Sequence, residues 1–547
     1  MKSTTKSKKG QAKEKEQRRR QKIEKQRSKS KGSVHGPRPT RNQKEVAKRL
    51  LAGEVSMVGG TGWSFVEPLL AFLGEVGFYE IIQIDGERFI RKLMALSLLI
   101  LTYEIKVLLG LSGMNCIGKT LFRDVALLKL IGYSTRQLQE GFCQRGCGDK
   151  QKPMHKNVLA DMVEKLTTKE LETILNRSIQ RLASRGIFGE SQGHFALDGS
   201  DLETTSRYQE TGMKTVTEKK WSRKEKKVVE IEKTVYGFKL LALYDVHLRL
   251  VVAVKVVQIQ EHDSQFTREL LQQGLENLGE GVLKVLLIDR GFLDGLSLWQ
   301  IKNEDGIDFV IPVKTNMQVT HDARAFLKQK PDGEYLFVAE RPGEGEQQSG
   351  HLKLIGIQGL TSYDQYGNEE HQQQSNRADF EGNPINAIVV SEFDQKVYPH
   401  EKAKVFLTSL PVNAPLSVID LYDLRSLIEN TLFRELKQGW FLGVFPKKTA
   451  DAVRGHVFLT ILVFNLTNAF RTHVGQDLAK RGIRRQRRDW YCVHQVMVFT
   501  SEFYAIFDIE TIFILLGRPP KICWRVDPNQ VYRLFAPVGL QNPYGAI

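Results

Sequence analysis

The sequence predicts an α/β protein: a mixed sheet with flanking helices, interrupted by a β-rich insertion and preceded by an all-helical domain. Three observations carry that reading. Residues 46–190 repeatedly place apolar side chains at i, i+3, i+4 and i+7, the spacing of helices with one buried face. From residue 191 the apolar runs follow the order β-β-β-α-β-α-β, which gives a sheet with helices packed on it. Residues 315–410 then break the order, being rich in Gly, Gln and Asp around short strand candidates.

The first 45 residues read as a basic disordered tail. Residues 1–50 hold 19 Lys or Arg against 4 Glu, whereas the other 497 hold 60 basic against 59 acidic side chains. The net charge of +16 is therefore concentrated at one end of a nearly neutral body. A segment this polar cannot bury enough surface to fold alone. Its charge suits an arm that releases counterions from nucleic acid. It lacks the apolar centre of a signal peptide, so secretion is not expected.

Helical patterns follow in DVALLKLIGYSTRQLQEGF and NVLADMVEKLTTKELETILNRSIQRLASRGI, and SRGIFGESQG supplies the turn residues of a boundary. HFALDGSDL, GFKLLALYDV and LRLVVAVKVVQIQ read as strands, FTRELLQQGLENL as a helix, VLKVLLID as a strand buried on both faces, LSLWQIKN as a short helix, and IDFVIPVK as another buried strand. These elements, with the helix beginning at LSVIDLYDL, define a core over 191–314 and 411–470 that surrounds the 315–410 insertion. Residues 471–547 are expected to be helical. LMALSLLILTYEIKVLLGL and HVFLTILVFNLTNAF read as buried core helices, not membrane spans. Five scattered cysteines suit a reducing cytosol, and Cys143, Cys147 and His155 lack the second close-spaced pair that a zinc site would need.

Three acids stand out by position. Asp198 ends an apolar run in ALDGSD, Asp289 ends another in VLLIDRGF, and Glu429 lies in the helical stretch LYDLRSLIENTLFRELK. Carboxylates at the carboxyl ends of buried strands lie at the rim where open α/β sheets place their sites. Three that converge would repel one another without cations, and hard oxygen ligands suit Mg²⁺ or Mn²⁺. Two such ions can stabilise both the attacking and leaving oxygens of a phosphoryl displacement. Tyr422, Arg425 and Glu429 stand at i, i+3 and i+7, so a phenol, a guanidinium and a carboxylate share one helix face. That is a poor core stripe and a good grip for a phosphate beside a metal ligand.

These motifs resemble those of the insertion-sequence DDE transposases: LDGSD at Asp198, IDRGF at Asp289 and a helix similar to the Y-x2-R-x3-E-x6-K signature. The resemblance covers about 191–470 and implies an RNase H-like core with a β-insertion before the last acid. It implies a catalytic and metal-binding triad of Asp198, Asp289 and Glu429 acting with two Mg²⁺ or Mn²⁺ ions. Tyr422 and Arg425 would contact phosphates of the element's end, with Lys437 and Lys314 as further DNA contacts. The implied reaction cuts DNA at the inverted repeats of a mobile element and joins the 3′ ends to target DNA. The expected partner is DNA bound by a homodimer or higher oligomer, in the cytoplasm at the nucleoid. A nuclease of the same core, or a DNA-binding protein derived from such an enzyme, remains open. One residue departs from the signature. Leu436 stands where the Lys is expected, and Lys437 follows it, which on a straight helix rotates that side chain about 80° from Glu429.

GMNCIGKT at 113–120 matches the phosphate-binding pattern G-x4-G-K-[ST] in full. A working loop of that kind follows a buried strand and opens a helix. Here the preceding 25 residues have helical spacing, so a loop between helices is expected and nucleotide binding is not.

Overall fold

The computed structural model describes residues 39–84, 94–140, 153–222, 227–329, 337–342, 351–364, 378–392, 403–474, 482–491 and 495–517. Most of the basic tail, Cys143, Cys147, Cys492 and Cys523 lie outside the described residues.

The described chain begins with a two-residue strand, β1 (Thr40–Arg41), and a helix over Gln43–Leu51 whose first turn is capped by the Asn42 side chain. A glycine-containing strand, β2 (Met57–Thr61), follows. A helical layer then takes over. The Leu96–Leu108 helix is buried along its whole length. The Thr168–Ser184 helix starts at a reciprocal cap between Thr167 and Glu170. Between these two, Met114–Ile117 of the GMNCIGKT stretch forms a single helical turn, preceded by a helix and not by a strand.

The catalytic-region sheet contains β3 (His194–Thr204), β4 (Gly212–Ser222), β5 (Lys227–Asp245), β6 (Leu250–Gln258), β7 (Val285–Ile288), β8 (Asp308–Pro312), β9 (Val338–Arg341), β10 (Leu352–Leu360), β11 (Ile385–Glu392) and β12 (Lys404–Thr408). Its order is β4-β5-β3-β7-β8-β12-β11-β10-β9, with β6 also on β5. β3, β7 and β8 run parallel, and the other pairs are antiparallel. A parallel trio flanked by the antiparallel β5–β6 pair is the mixed sheet that the order of apolar runs predicted, and its order β6-β5-β3-β7-β8 is the RNase H-like one that the family resemblance implied.

The VLLI run of β7 is apolar throughout because both faces are covered. Leu286 and Ile288 join the main core, whereas Val285 and Leu287 join a second cluster beneath the Pro415–Asp423 helix. The Thr168–Ser184, Thr267–Leu278 and Ala450–Val474 helices pack together over β6. The last of these is long and apolar enough to cross a membrane, but 89% of its apolar window is buried in this core.

Two expectations change. The β-rich insertion extends the catalytic sheet, because β12 pairs with β8 and β11, β10 and β9 continue outward. The amino-terminal and carboxyl-terminal regions are not purely helical. β13 (Gln495–Phe499) and β14 (Phe503–Asp508) form a hairpin, and β2 and β1 pair on its two sides. β2 is five residues long with two glycines, so no local alternation announces it. Its partner strand supplies that reason from the far end of the chain.

One buried polar link ties the layers. His456 Nδ1 lies 2.8 Å from the Tyr103 hydroxyl and its Nε2 lies 3.2 Å from the Phe441 carbonyl. Nε2 therefore donates to the carbonyl and Nδ1 accepts from the phenol, the neutral tautomer. Burial pushes this imidazole down to about 3. A folded-state value below the unfolded one means that the unfolded chain binds the proton first, so stability present above about 6.5 is lost as pH falls toward 3. Thermal melts should show this component: His456→Gln is expected to melt lower than wild type at pH 8, yet to lose less between pH 7 and pH 5. Equal pH slopes in the two proteins would remove His456 as a source.

Candidate active site

The pairing of β3 with β7 ends at Leu197 opposite Ile288, and the next residue on each strand is an aspartate. The Asp289 amide donates to the Leu197 carbonyl at 3.0 Å, so the Asp198 and Asp289 backbones lie side by side where β7 ends, although β3 itself runs on to Thr204. Each carboxylate is held by a nearby amide. Asp198 Oδ1 accepts from Gly199 at 2.7 Å, and Asp289 Oδ2 accepts from Gly291 at 3.0 Å. Space explains the second glycine: a Cβ on Gly291 would stand 2.7 Å from Asp263 Oδ2.

Glu429 arrives from above on the segment that follows the Pro415–Asp423 helix. The three carboxylates meet on one atom. Arg425 Nη1 lies 2.7 Å from Asp198, 3.5 Å from Asp289 and 2.9 Å from Glu429. Asp198 is 6% exposed, while the Glu429 side chain is 55% exposed. Burial, with the Asp289 charge beside it, raises the Asp198 carboxyl to about 7 against the pull of Arg425. Even with Arg425 beside it the carboxyl stays raised, so further positive charge at this point would favour its ionised form.

Tyr422 serves Arg425. The guanidinium carbon sits 5.7 Å from the Tyr422 ring centroid, and the ring meets Phe406 edge-on at 5.1 Å. The Tyr422 hydroxyl points to the Ile288 carbonyl at 3.4 Å, one residue before Asp289. The structure thus places the phenol beneath the cluster as a support for the guanidinium. Arg425 Nε is buried and has no hydrogen-bond partner among the described residues.

The helix bearing Glu429 is not straight. Arg425 and Ile428 donate to carbonyls three residues back, and residues Ile428–Phe433 then widen into a π-helix. A π-turn accommodates one extra residue and so removes about 100°, one α-helical step, from the rotation that follows. The extra residue between Glu429 and Lys437 is absorbed there. Lys437 consequently lines the same cavity as Glu429, and the 80° offset expected of a straight helix is absent. Leu436, at the signature's spacing, is buried in the core.

That cavity, about 550 Å³, opens beside the triad. Lys214, Lys239, Arg434 and Lys437 line it with Asp201, Asp263 and Glu429. Lys214 pairs with Asp201 and Lys239 with Asp263, both at 2.6 Å. Sequence reasoning missed Lys214, Lys239 and Asp263, because they come together from β4, β5 and the turn after β6 only once the sheet is formed. Lys314 follows β8 on the same rim but does not line this cavity.

Among the described residues, no group of three His, Cys, Asp or Glu side chains is arranged to hold a metal ion as it stands. The chemistry of the donors fits one nevertheless. Three carboxylates of hard oxygen already gather on a single positive charge, and one of them is buried and poorly ionised without it. A divalent ion would have to take the place of the Arg425 nitrogen.

The family model described as a transposase DDE domain matches residues 189–466, just over half of the chain and all of the site above. No curated protein matches the chain significantly. A cryo-EM structure of a piggyBac transposase synaptic complex with hairpin DNA is similar over 89% of this chain and 88% of that one, at 12% identity and a TM-score of 0.37. The family assignment rests on the family match, not on that likeness.

The π-turn makes a testable claim. Deleting Asn430, an exposed residue within it, should convert the turn to ordinary α-helix and leave both flanks in place. The melting temperature should be unchanged or raised. Deleting Leu459 from the regular Ala450–Val474 helix should unfold the protein, since no wide turn there holds a residue to spare. Unfolding of the Asn430 deletion would show that the π-turn is not the slack it is taken for.

Proposed function

The chain belongs to the DDE transposase family, and we propose that it cuts DNA at the ends of its own mobile element and joins the freed 3′ ends to target DNA. The convergence of Asp198, Asp289 and Glu429 on the Arg425 guanidinium is the observation that supports this most directly. The three carboxylates are the groups that would hold divalent metal, two Mg²⁺ or Mn²⁺ ions in the reading proposed here. Bound there, the metal supplies Lewis-acid stabilisation of the attacking and leaving oxygens of a phosphodiester.

The chain's own residues do the rest. Asp198 and Asp289, fixed by strand pairing and by glycine amides, set the floor of the site. Glu429, more exposed and carried by an irregular helix, closes it from one side. Arg425 neutralises the acids, and with divalent metal in its place its fork would be free to take a DNA phosphate through two hydrogen bonds. Lys437 reaches the adjoining cavity and would meet the backbone as a point charge. Tyr422 holds the Arg425 plane. Lys314 would touch DNA further along the rim, and the basic residues 1–45 would add contacts that do not read sequence. A homodimer or higher oligomer would bind paired element ends. The enzyme would act in the cytoplasm at the nucleoid and would need no nucleotide.

Asp198→Asn, Asp289→Asn and Glu429→Gln should each abolish metal-dependent cleavage of element-end DNA while leaving binding to it largely intact. A variant that cleaves near the wild-type rate would lose its place in the triad. Cleavage without joining by the wild type would make the protein a nuclease, and binding without cleavage would make it a DNA-binding derivative.

Arg425→Lys should lose activity despite keeping its charge, at a cost of about 1–3 kcal/mol for the missing charged hydrogen bond. Lys437→Ala should lose activity too, since its side chain shares the cavity with Glu429. Arg425→Ala should also gain more thermal stability from added Mg²⁺ or Mn²⁺ than wild type does, because the guanidinium no longer competes for the carboxylates. Equal metal-induced shifts in melting temperature would mean that Arg425 does not occupy the metal's place.

A further inference from the structure

The catalytic-region sheet carries one long element that it does not use. β5 pairs with β3 only over Tyr236–Asp245 and with β6 only over Phe238–Asp245. From Val235 out to Lys227 its one partner among the described residues is β4. The result is a two-stranded ribbon that leaves the body. β4 has 11 residues, and at about 3.4 Å each it spans roughly 35 Å, close to one turn of B-form DNA.

A ribbon of two strands is marginal in water without something to lie on. Burial falls along this one: Val235 is 7% exposed at its root, Ile231 is 45% exposed further out, and Trp221 is 61% exposed near the end. Its charge says what would cover it. Residues 212–237 carry 8 Lys or Arg against 4 Glu, in a chain whose residues beyond position 50 otherwise nearly balance. The root carries the same sign into the active-site cavity, which Lys214 lines together with Glu429 and Lys437. The major groove of B-form DNA admits a two-stranded ribbon.

We propose that the β4–β5 ribbon is a DNA arm that lies along the duplex leading away from the active-site cavity, with Lys214 at its root and Trp221 near its end. The inference rests on the transposase reading, since it needs DNA in that cavity. It adds an element that none of the triad, the signature helix or the basic tail supplies. Duplex cut at Asp198, Asp289 and Glu429 would be held along a full turn before it leaves the protein, and an exposed indole offers an aromatic face to sugar or base.

The test uses the full-length chain and a random-sequence duplex of about 50 base pairs, five helical turns, with affinity measured by fluorescence anisotropy over a range of salt. Trp221→Ala combined with Lys219→Glu and Lys220→Glu should weaken binding about tenfold, and the slope of log affinity against log salt should become shallower by about two. Trp221→Ala alone should weaken binding about fivefold with the slope unchanged. A second construction removes the end of the ribbon by joining Thr217 to Glu232, which face each other, through an Asn-Gly turn. It should match the triple variant and keep the wild-type melting profile. Wild-type affinity and slope in these variants would overturn the arm while leaving the transposase reading intact. Unchanged DNA binding with weaker self-association in the ultracentrifuge would overturn it in favour of a second copy of the chain. Failure of the wild type to bind any duplex would overturn both readings together.

Discussion

Three carboxylates held within reach of one another are the constraint on which the site depends. Asp198 and Asp289 cannot move apart, because the backbone that carries them is locked by the parallel pairing of β3 and β7. Their repulsion has to be met by positive charge, and Arg425 meets it here. The demand propagates outward. Tyr422 carries the guanidinium, Phe406 of β12 carries Tyr422, and β12 is the strand that joins the insertion to β8. The distant half of the sheet therefore contributes to a charge balance at its centre. An arginine that releases carboxylates to metal and turns to phosphate would tie metal loading to DNA binding in one movement.

Much of this was legible in the sequence, and the reason is local. VLLI followed by Asp and FAL followed by Asp are short patterns whose apolar runs need burial on both faces; the acid after the first does follow the end of β7, whereas Asp198 sits inside β3, which runs on to Thr204. The i, i+3, i+7 spacing of Tyr422, Arg425 and Glu429 is likewise local, although the segment passes through a turn at Arg425 and a π-helix at Glu429. What the sequence hid required information from elsewhere. The position of Lys437 looked displaced because rotation was counted along a straight helix, and no residue type in IENTLF signals a π-turn. Lys214 and Lys239 gather by strand register and Asp263 meets Lys239 from the turn after β6, which composition does not reveal. β2, with the sequence MVGGT, has no amphipathic period, and only its hairpin partner makes it a strand. The partly buried packing of Tyr422 against Phe406 and Arg425 also depends on β12, which its own helix does not reveal.

The insertion shows a related economy. Four further strands hydrogen-bonded onto β8 bring no second core, since Leu354, Ile388 and Val390 pack with Val285, Leu287 and Val310 in one cluster. The Pro415–Asp423 helix closes that cluster, and the chain runs from it directly into Arg425 and Glu429. Packing of the inserted strands and placement of the last acid are consequently the same event.

The small sheet that joins β2 to the β13–β14 hairpin has a consequence for how the protein is made. Ser56 and Phe499, which bond across it, are 443 residues apart in the chain. At about 5–20 residues per second, a ribosome needs on the order of 20–90 s to deliver the partner after β2 has emerged. For that time β2 is an orphan, and the amino-terminal segment has no sheet to join. A chain whose synthesis stops early never completes it. Closure of this sheet thus waits on synthesis of the β13–β14 hairpin: only a chain translated past Asp508 can fasten β2 into place.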